Sequence, residues 1–420
     1  MMSRLVPKLR FKEFSGEWKE KQLKELGDFK GGGTPSKEVS KYWNGNMPWI
    51  SSSDISKDNI YCINVNKFIN KKSIKESATK IIPKNSILFV SRVGVGKLAI
   101  NKKELCTSQD FTNFISNQIN SYYLGYFFLA NKNILESFNQ GTSIKGFTKS
   151  DIETLKINIP IPKEQQKIAS CLSSLDSLIE AQNKKVSALK QHKKGLMQQL
   201  FPAEGEREPK LRFKAFSGEW GEKMLEEIGE ISGGGVDKKT NENERPVMLL
   251  NYMDVYNKNF IYSYDLKQQT SANNAKIQKC NIEKGDIFFT PSSEVPNDIA
   301  KSSVAMESII NGVYSYHLVR LRMFKSLDLK FRTYMFKTNS FFKIVSKLAQ
   351  GSGTRYTITL PEFRSIKTLI PPSPKEQQKI ANTLSTLDSL IEAQNQQINH
   401  LKQHKKGLMQ QLFVSSEVGV

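Results

Sequence analysis

Several stretches of this 420-residue chain carry residue types spaced for chemistry, and each stops short of completing it. Gly31-Gly32-Gly33-Thr34 and Gly233-Gly234-Gly235-Val236 look like glycine-rich turns whose backbone N–H groups cradle phosphate. Neither continues into Gly-Lys-Ser/Thr, which excludes a P-loop. Arg92-Val93-Gly94-Val95-Gly96-Lys97 offers Gly-Lys after an apolar run, but Ser91 stands where the first P-loop glycine belongs and Leu98 replaces the Mg²⁺-binding hydroxyl. Farther along, Pro291-Ser292-Ser293-Glu294 fills the equivalent stretch, so no cofactor loop is shared. Asn46-Met47-Pro48-Trp49 approaches the Asn-Pro-Pro-Tyr/Phe motif of enzymes that methylate DNA amino groups. It lacks the first proline, and no glycine-rich AdoMet fingerprint precedes it at the expected distance. Glu17-Trp18-Lys19 holds the Glu-x-Lys half of a nuclease triad, whereas Glu219-Trp220-Gly221 loses the lysine, so a structural tryptophan is the better reading.

Metal and thiol chemistry fare no better. Cys62, Cys106, Cys171 and Cys280 are scattered without C-x-x-C spacing and fit a reducing cytoplasm with no metal site. His192, His400 and His404 fall on expected helices rich in Lys and Gln, where a solvated role is the ordinary one, and His317 carries no motif. What does recur suits backbone contact: glycine turns bring main-chain N–H groups close to phosphates. The net charge of +21 favours a polyanion, nucleic acid or an acidic membrane surface. Residues 1–161 carry +11 and 202–373 carry +5, against +4 and +2 for residues 162–201 and 374–413, so the excess lies chiefly outside the latter two blocks. No apolar window is long enough to span a bilayer, and the N-terminal MMSRLVPKLRFKEF lacks the apolar core of a secretion signal.

The elements that position these residues are written twice. PKLRFKEFSGEW at Pro7–Trp18 returns as PKLRFKAFSGEW at Pro209–Trp220, eleven of twelve residues identical. Pro162–Phe201 returns as Pro374–Phe413 with thirty-two of forty residues identical. Between these anchors the copies diverge, apart from Lys84-x-x-Ile87-x-Phe89 against Lys284-x-x-Ile287-x-Phe289, both strand-like alternations, and Gly141-Thr142 against Gly353-Thr354. One fold used twice with different surface loops is the simplest account. It divides the chain into domains at 1–161 and 202–373, long helices at 162–201 and 374–413, and a tail at 414–420.

The forty-residue block reads as helix. Ser373-Pro374-Lys375-Glu376 predicts an N-cap, a proline at the first helical position and a capping-box glutamate, while the first copy has Ile161 before Pro162. Ile168, Leu172, Leu175, Ile179, Val186 and Leu189 follow a 4-3 rhythm, repeated by Ile380, Leu384, Leu387, Ile391, Ile398 and Leu401. That period calls for a coiled-coil partner. The other copy, running antiparallel, is the expected one, and a homodimer is the alternative. Gln182 and Gln394, near the helix midpoints, and Lys193 and Lys405 are polar seam positions, of the kind that fix register. The Gln pair is expected to meet at the centre. Each helix would be a rigid spacer about 60 Å long.

These features together resemble the specificity (S) subunit of Type I restriction–modification systems over essentially the whole chain. The resemblance rests on the duplication and on Trp18/Trp220 followed by Leu-x-x-Leu/Ile-Gly. It also rests on Pro48-Trp49-Ile50 with Asp54-Ile55, and on Ile-Pro-x-Pro-Lys-Glu-Gln-Gln-Lys-Ile opening each helix. It implies an α+β fold in which two mixed α/β target-recognition domains are separated by two helices paired as an antiparallel coiled coil, with pseudo-twofold symmetry. It further implies that each domain reads one part of a split, asymmetric double-stranded DNA site while the helices set the spacer. Two modification subunits would dock on the helices and bring AdoMet and the adenine-N6 methyltransferase site. Restriction subunits, when present, would bring ATP-driven, Mg²⁺-dependent translocation and cleavage. This cytoplasmic chain would then hold no catalytic residue and no cofactor. Candidate DNA contacts are Lys37, Arg92, Lys97 and Lys145 in the first half and Lys238, Ser292, Arg355 and Tyr356 in the second, with Arg92 and Arg355 able to bond bidentately. A self-contained DNA methyltransferase and a coiled-coil scaffold without DNA are the rival readings.

Overall fold

The computed structural model describes residues 6–138, 146–324 and 327–414. The chain divides into two compact units, 1–183 with 396–420, and 184–395. The central helix, Pro162–Leu200, and the distal helix, Pro374–Leu412, have 39 residues each, and each unit takes half of both. Both helices stop one residue before the end of the repeat because the next residue turns into a core. Phe201 stacks on Phe331 with ring centroids 5.6 Å apart, and Phe413 meets Phe127 edge-on at 5.9 Å.

Within each unit the two helix halves run antiparallel, the arrangement expected of the two copies. In the first unit Asp176 pairs with Lys405, while Ile168 and Leu172, earlier in the central helix, share a core with Met409, Leu412 and Phe413, later in the distal one. In the second unit Asp388 pairs with Lys193, and Ile380, Ala381 and Leu384 share a core with Leu200 and Phe201. Ile168, Leu172, Val186, Ile380, Leu384, Ile391 and Ile398 are buried, and Leu175, Ile179, Gln182, Leu189, Leu387, Gln394 and Leu401 are half-buried. The helix starts are also part of the globular cores: Ile168 and Leu172 pack with Trp18, Tyr123 and Tyr126.

Each unit hangs three kinds of sheet on this frame. In the first, the ribbon Lys19–Gln22 with Lys156–Ile159 closes the domain next to the central helix. An antiparallel sheet follows the order Asp28–Gly31, Phe111–Ile115, Ile87–Val90, Leu98–Ile100. A mixed sheet follows the order Lys67–Ile69, Met47–Ile50, Leu105–Thr107, Ile81–Ile82, with a parallel pair at its centre. The second unit repeats the ribbon with Gly221–Met224 and Lys367–Ile370. Its larger sheet runs Gly229–Ser232, Val319–Met323, Ile287–Phe289, Ser302–Ala305, Phe260–Ile261, and its mixed sheet runs Gln268–Ala272, Arg245–Leu250, Ile309–Tyr314, Asn281–Ile282. It adds a small sheet of Ser292–Ser293, Arg355–Thr357 and Gln350–Ser352.

Ile87–Val90 and Ile287–Phe289 are central strands buried on both faces, which is why their apolar runs are continuous rather than strictly alternating. Each follows a tight turn through a residue in the left-handed region, Asn85 at φ 64° and Gly285 at φ 91°. Trp18 and Trp220 are 2% and 1% exposed and serve the cores, as the broken Glu-x-Lys motif indicates.

Candidate nucleic-acid interface

The frame is held by contacts that occur twice. Arg10 forms a bidentate pair with Glu164 at 2.8 and 2.7 Å and donates to the Ser15 and Gly16 carbonyls. Arg212 does the same to Glu376, at 2.8 and 2.9 Å, and to Ser217 and Gly218. Fork-on-carboxylate geometry fixes orientation as well as charge. The capping-box role expected of Glu376 is corrected here: both of its oxygens are taken by Arg212, as those of Glu164 are by Arg10. The following glutamine also has a fixed task. Gln165 donates to the Pro160 carbonyl at 2.9 Å and accepts from Asn120 N at 3.0 Å, and Gln377 donates to Pro371 and accepts from Asp328 N, both at 3.2 Å. The Glu-Gln signature thus clamps the arm before each domain and the start of a domain helix onto each long helix.

A second repeated cluster explains the polar seam lysines. Tyr126 donates to Asp176 at 2.6 Å, and Lys405 reaches the same carboxylate at 2.5 and 2.7 Å while lying 5.0 Å over the Tyr126 ring. Tyr334 donates to Asp388 at 2.7 Å, and Lys193 reaches Asp388 at 2.5 Å while lying 5.2 Å over the Tyr334 ring. Burial and the neighbouring carboxylate push both phenols far above their usual range, so they remain donors. Gln182 and Gln394 each keep a buried side-chain carbonyl without a hydrogen-bond partner among the described residues.

The glycine runs serve packing. Gly32 N donates to the Phe111 carbonyl at 3.2 Å and Gly33 N to Thr107 at 2.8 Å, so these donors are spent inside the fold rather than held ready for phosphate. A Cβ on Gly33 would lie 2.5 Å from the Ala78 backbone, and one on Gly235 would lie 2.2 Å from the Tyr314 carbonyl oxygen. Only glycine permits these approaches, and in the second unit the approach places Val236 against Ser315 in a parallel bridge.

Beyond these packed runs lie the candidate contacts. In the first unit Lys37 is exposed after the glycine run, and Arg92 is exposed in the turn that leaves Ile87–Val90. Lys97 is half-buried and donates to the Ser52 carbonyl at 3.1 Å, which leaves two of its three N–H donors. Lys145 lies outside the described residues. Two residues after it in sequence, Phe147 N donates to the Ser91 carbonyl at 3.0 Å, beside Arg92. The second unit repeats that seat, with Ile358 N donating to Pro291 at 2.9 Å. Here the structure gathers the candidates more closely. Ser292 pairs with Thr357 and Ser293 with Tyr356, so Ser292, Arg355 and Tyr356 share one small sheet. Tyr252 pins this sheet by donating to the Ser292 carbonyl at 2.7 Å.

His317 and Tyr316 join this patch and are not legible in the sequence. Tyr316 N donates to the Val236 carbonyl at 3.1 Å, two residues before Lys238, and the Tyr316 and His317 rings are 3.9 Å apart. Partial burial first, then the positive charges of Lys238 and Arg355, hold the His317 imidazole below its usual range, with Asp237 opposing. It is therefore neutral at pH 7, one nitrogen donating and one accepting, amid exposed Lys238, Arg355 and Tyr316. Such a patch offers a phosphate two cations and a base edge an aromatic ring with a donor–acceptor pair. Tyr262 and Tyr264, stacked 5.2 Å apart with Tyr264 exposed, lie elsewhere in this unit.

Two copies of one clamped frame, each ending in its own set of outer side chains, make this an internally duplicated protein. Residues 15–191 and 217–403 match the family described as the Type I restriction modification DNA specificity domain, and the chain belongs to that family. It is 28% identical over 417 residues to the Type I restriction enzyme MjaVIII specificity subunit of Methanocaldococcus jannaschii, spanning 96% of this chain and 95% of that one. With the MjaIX specificity subunit of the same organism it shares 37% identity over 172 residues, which is only 40% of each chain. The solved S subunit of a Type I system from M. genitalium shares the fold, with a TM-score of 0.60 at 16% identity, covering 98% of this chain and 100% of that one. Membership of this family makes the chain a DNA specificity subunit and not an enzyme in its own right. Among the described residues no group of acids, histidines and cysteines is placed to hold a metal ion, and no helix is long and apolar enough to cross a membrane.

Proposed function

We propose that each unit reads one part of a bipartite, asymmetric double-stranded DNA site. Lys37, Arg92, Lys97 and Lys145 serve the first part, and Lys238, Ser292, Arg355 and Tyr356, joined by His317 and Tyr316, serve the second. The observation that carries this reading is the shared seat. The same strand end receives the same returning segment in both units, at Ser91 and Pro291, yet the side chains beside it differ. A constant seat with variable occupants suits one geometry reading two sequences. Arginine to guanine or phosphate is the contact with the most geometric specificity.

The long helices act as the spacer and as the dock for two modification subunits, which supply AdoMet and the adenine-N6 methyltransferase site. Restriction subunits, where present, supply ATP- and Mg²⁺-dependent translocation and cleavage. Leu178 and Leu390 support the docking role: they occupy the same repeat position, and both are exposed although apolar, at 42% and 46%. The complex works in the cytoplasm, in keeping with four free cysteines. R355A in the assembled complex tests the reading. Loss of methylation that depends on the second half-site, with the first half of the motif retained, is the expected result; equal loss at both halves would assign Arg355 to general phosphate contact or folding.

A further inference from the structure

Lys337 breaks the symmetry of the two frames. Matching Tyr334 to Tyr126 and Asp328 to Asn120 by their shared hydrogen bonds puts Leu129 at the equivalent place in the first unit, where it is buried in the core. The frame therefore works with a hydrocarbon at this position. A half-buried ammonium stands there instead, at a cost in desolvation that the leucine avoids. Lys337 Nζ donates to the neutral amide oxygen of Asn259, and among the described residues it makes no ion pair. The nearest acid is already committed. Asp388 accepts from Lys193 at 2.5 Å, from Tyr334 at 2.7 Å and from Asn259 at 3.4 Å. Lys301, the other cation facing Lys337, is paired with Asp298 at 3.1 Å.

Beside Lys337 opens a cavity of about 230 Å³ whose wall includes Lys190, Lys193, Lys194, Lys337, Tyr334 and Asn339, and no carboxylate lines it. Asn339 begins the ten-residue helix Asn339–Leu348, whose N-terminal dipole adds to the positive field. Four lysines, of which Lys193 is already paired with Asp388, and no acid line this small cavity, which makes its surroundings strongly positive.

We propose that this cavity binds one phosphate-class oxyanion, through Lys337, Lys190 and Lys194 with the paired Lys193 behind them. The site is independent of DNA reading and belongs to the second unit alone, since Leu129 replaces the key lysine in the first. Burial and the charge of Lys193 hold Lys337 down to about 7, with Asp388 opposing and Lys301 adding to the effect. A bound oxyanion favours the charged form, so binding near neutral pH draws a proton from solution.

The test is isothermal titration of the full chain, without DNA, at fixed ionic strength, with inorganic phosphate in one arm and metal-free ATP in the other. Saturable binding of phosphate, or of ATP alone, supports the site, the second outcome assigning it to a nucleotide phosphate. No saturable binding of either up to about 10 mM overturns it, as that is weaker than even a modest specific site. K337L, which installs the first unit's own side chain, is expected to weaken binding about tenfold or more and to abolish proton uptake, read from the dependence of the heat on buffer ionisation enthalpy. A folded K337L protein that binds as the wild type does, with the same proton uptake, would refute the proposal. Retained DNA binding by K337L separates this site from the DNA-reading patch.

Discussion

Replacing Asp176 with alanine removes the carboxylate on which the Tyr126 hydroxyl and the Lys405 ammonium converge. Lys405 and Asp176 side chains are 10% and 18% exposed, so the ammonium would be left largely desolvated against the Tyr126 ring. Breaking a buried pair from one side costs about 3–5 kcal/mol, and the residual exposure puts this case near 3. With a urea dependence of about 3 kcal/mol per molar, the unfolding midpoint of the first unit should fall by roughly 1 M. Tryptophan fluorescence in urea provides the assay, because Trp18 sits in the core that receives both helix halves. The paired variant D176L/K405L removes both charges and should recover most of the loss, since replacing a whole buried pair by apolar groups is close to neutral. A D176A shift below about 0.3 M, or a double variant as unstable as D176A, would refute the argument that this pair seats the helices.

Four further outcomes are expected. Lys337 is held down to about 7 in the folded chain against an ordinary 10.5, so the unfolded chain binds more protons between those values. Stability of the second unit should therefore rise as pH increases from about 7 towards 10, and K337L should flatten that rise; an unchanged slope by urea titration would contradict it. G235A drives a Cβ to 2.2 Å from the Tyr314 carbonyl, so it should displace Lys238 from His317 and cost DNA binding by the second unit, measured by anisotropy in the assembled complex. L178D and L390D should each abolish docking of one modification subunit while leaving the other bound; native mass spectrometry showing unchanged stoichiometry in either would remove these leucines from the dock. Inserting four residues, the length of one helical turn, in the linker near Pro202–Pro209 or at a helix start should lengthen the spacer in the methylated motif, and an unchanged motif would count against the ruler.

The frame was legible because both copies spell it with the same residues. The strand at Ile87, its partner at Ile287, the helix bounds to within one residue and the seam leucines all follow from apolar spacing. The partners of the polar frame residues were hidden. Arg10 finds Glu164 across 154 residues, and Lys405 finds Asp176 across 229, distances at which no local pattern points from one to the other. Their identity in both copies was the available signal, since Arg212–Glu376 and Lys193–Asp388 repeat the pairs. The glycine runs misled for a physical reason: glycine permits close approach to phosphate and to backbone alike, and here Gly33 meets Ala78 and Gly235 meets Tyr314. His317 carried no motif because its surroundings come from three separate segments, around Lys238, Tyr316 and Arg355.

The most direct test of the account exchanges the second reading segment for the first. The ribbons give natural joints, so residues 221–370 would be replaced by residues 19–159 in the otherwise intact chain and assembled with its modification subunits. Methylated adenines would then be mapped by single-molecule sequencing in cells carrying the wild-type or exchanged complex. If each unit reads its own part of the site, the exchanged complex methylates a motif built from two copies of the first half-site. Persistence of the original asymmetric motif would contradict the claim that specificity lies in the segments where the two copies disagree.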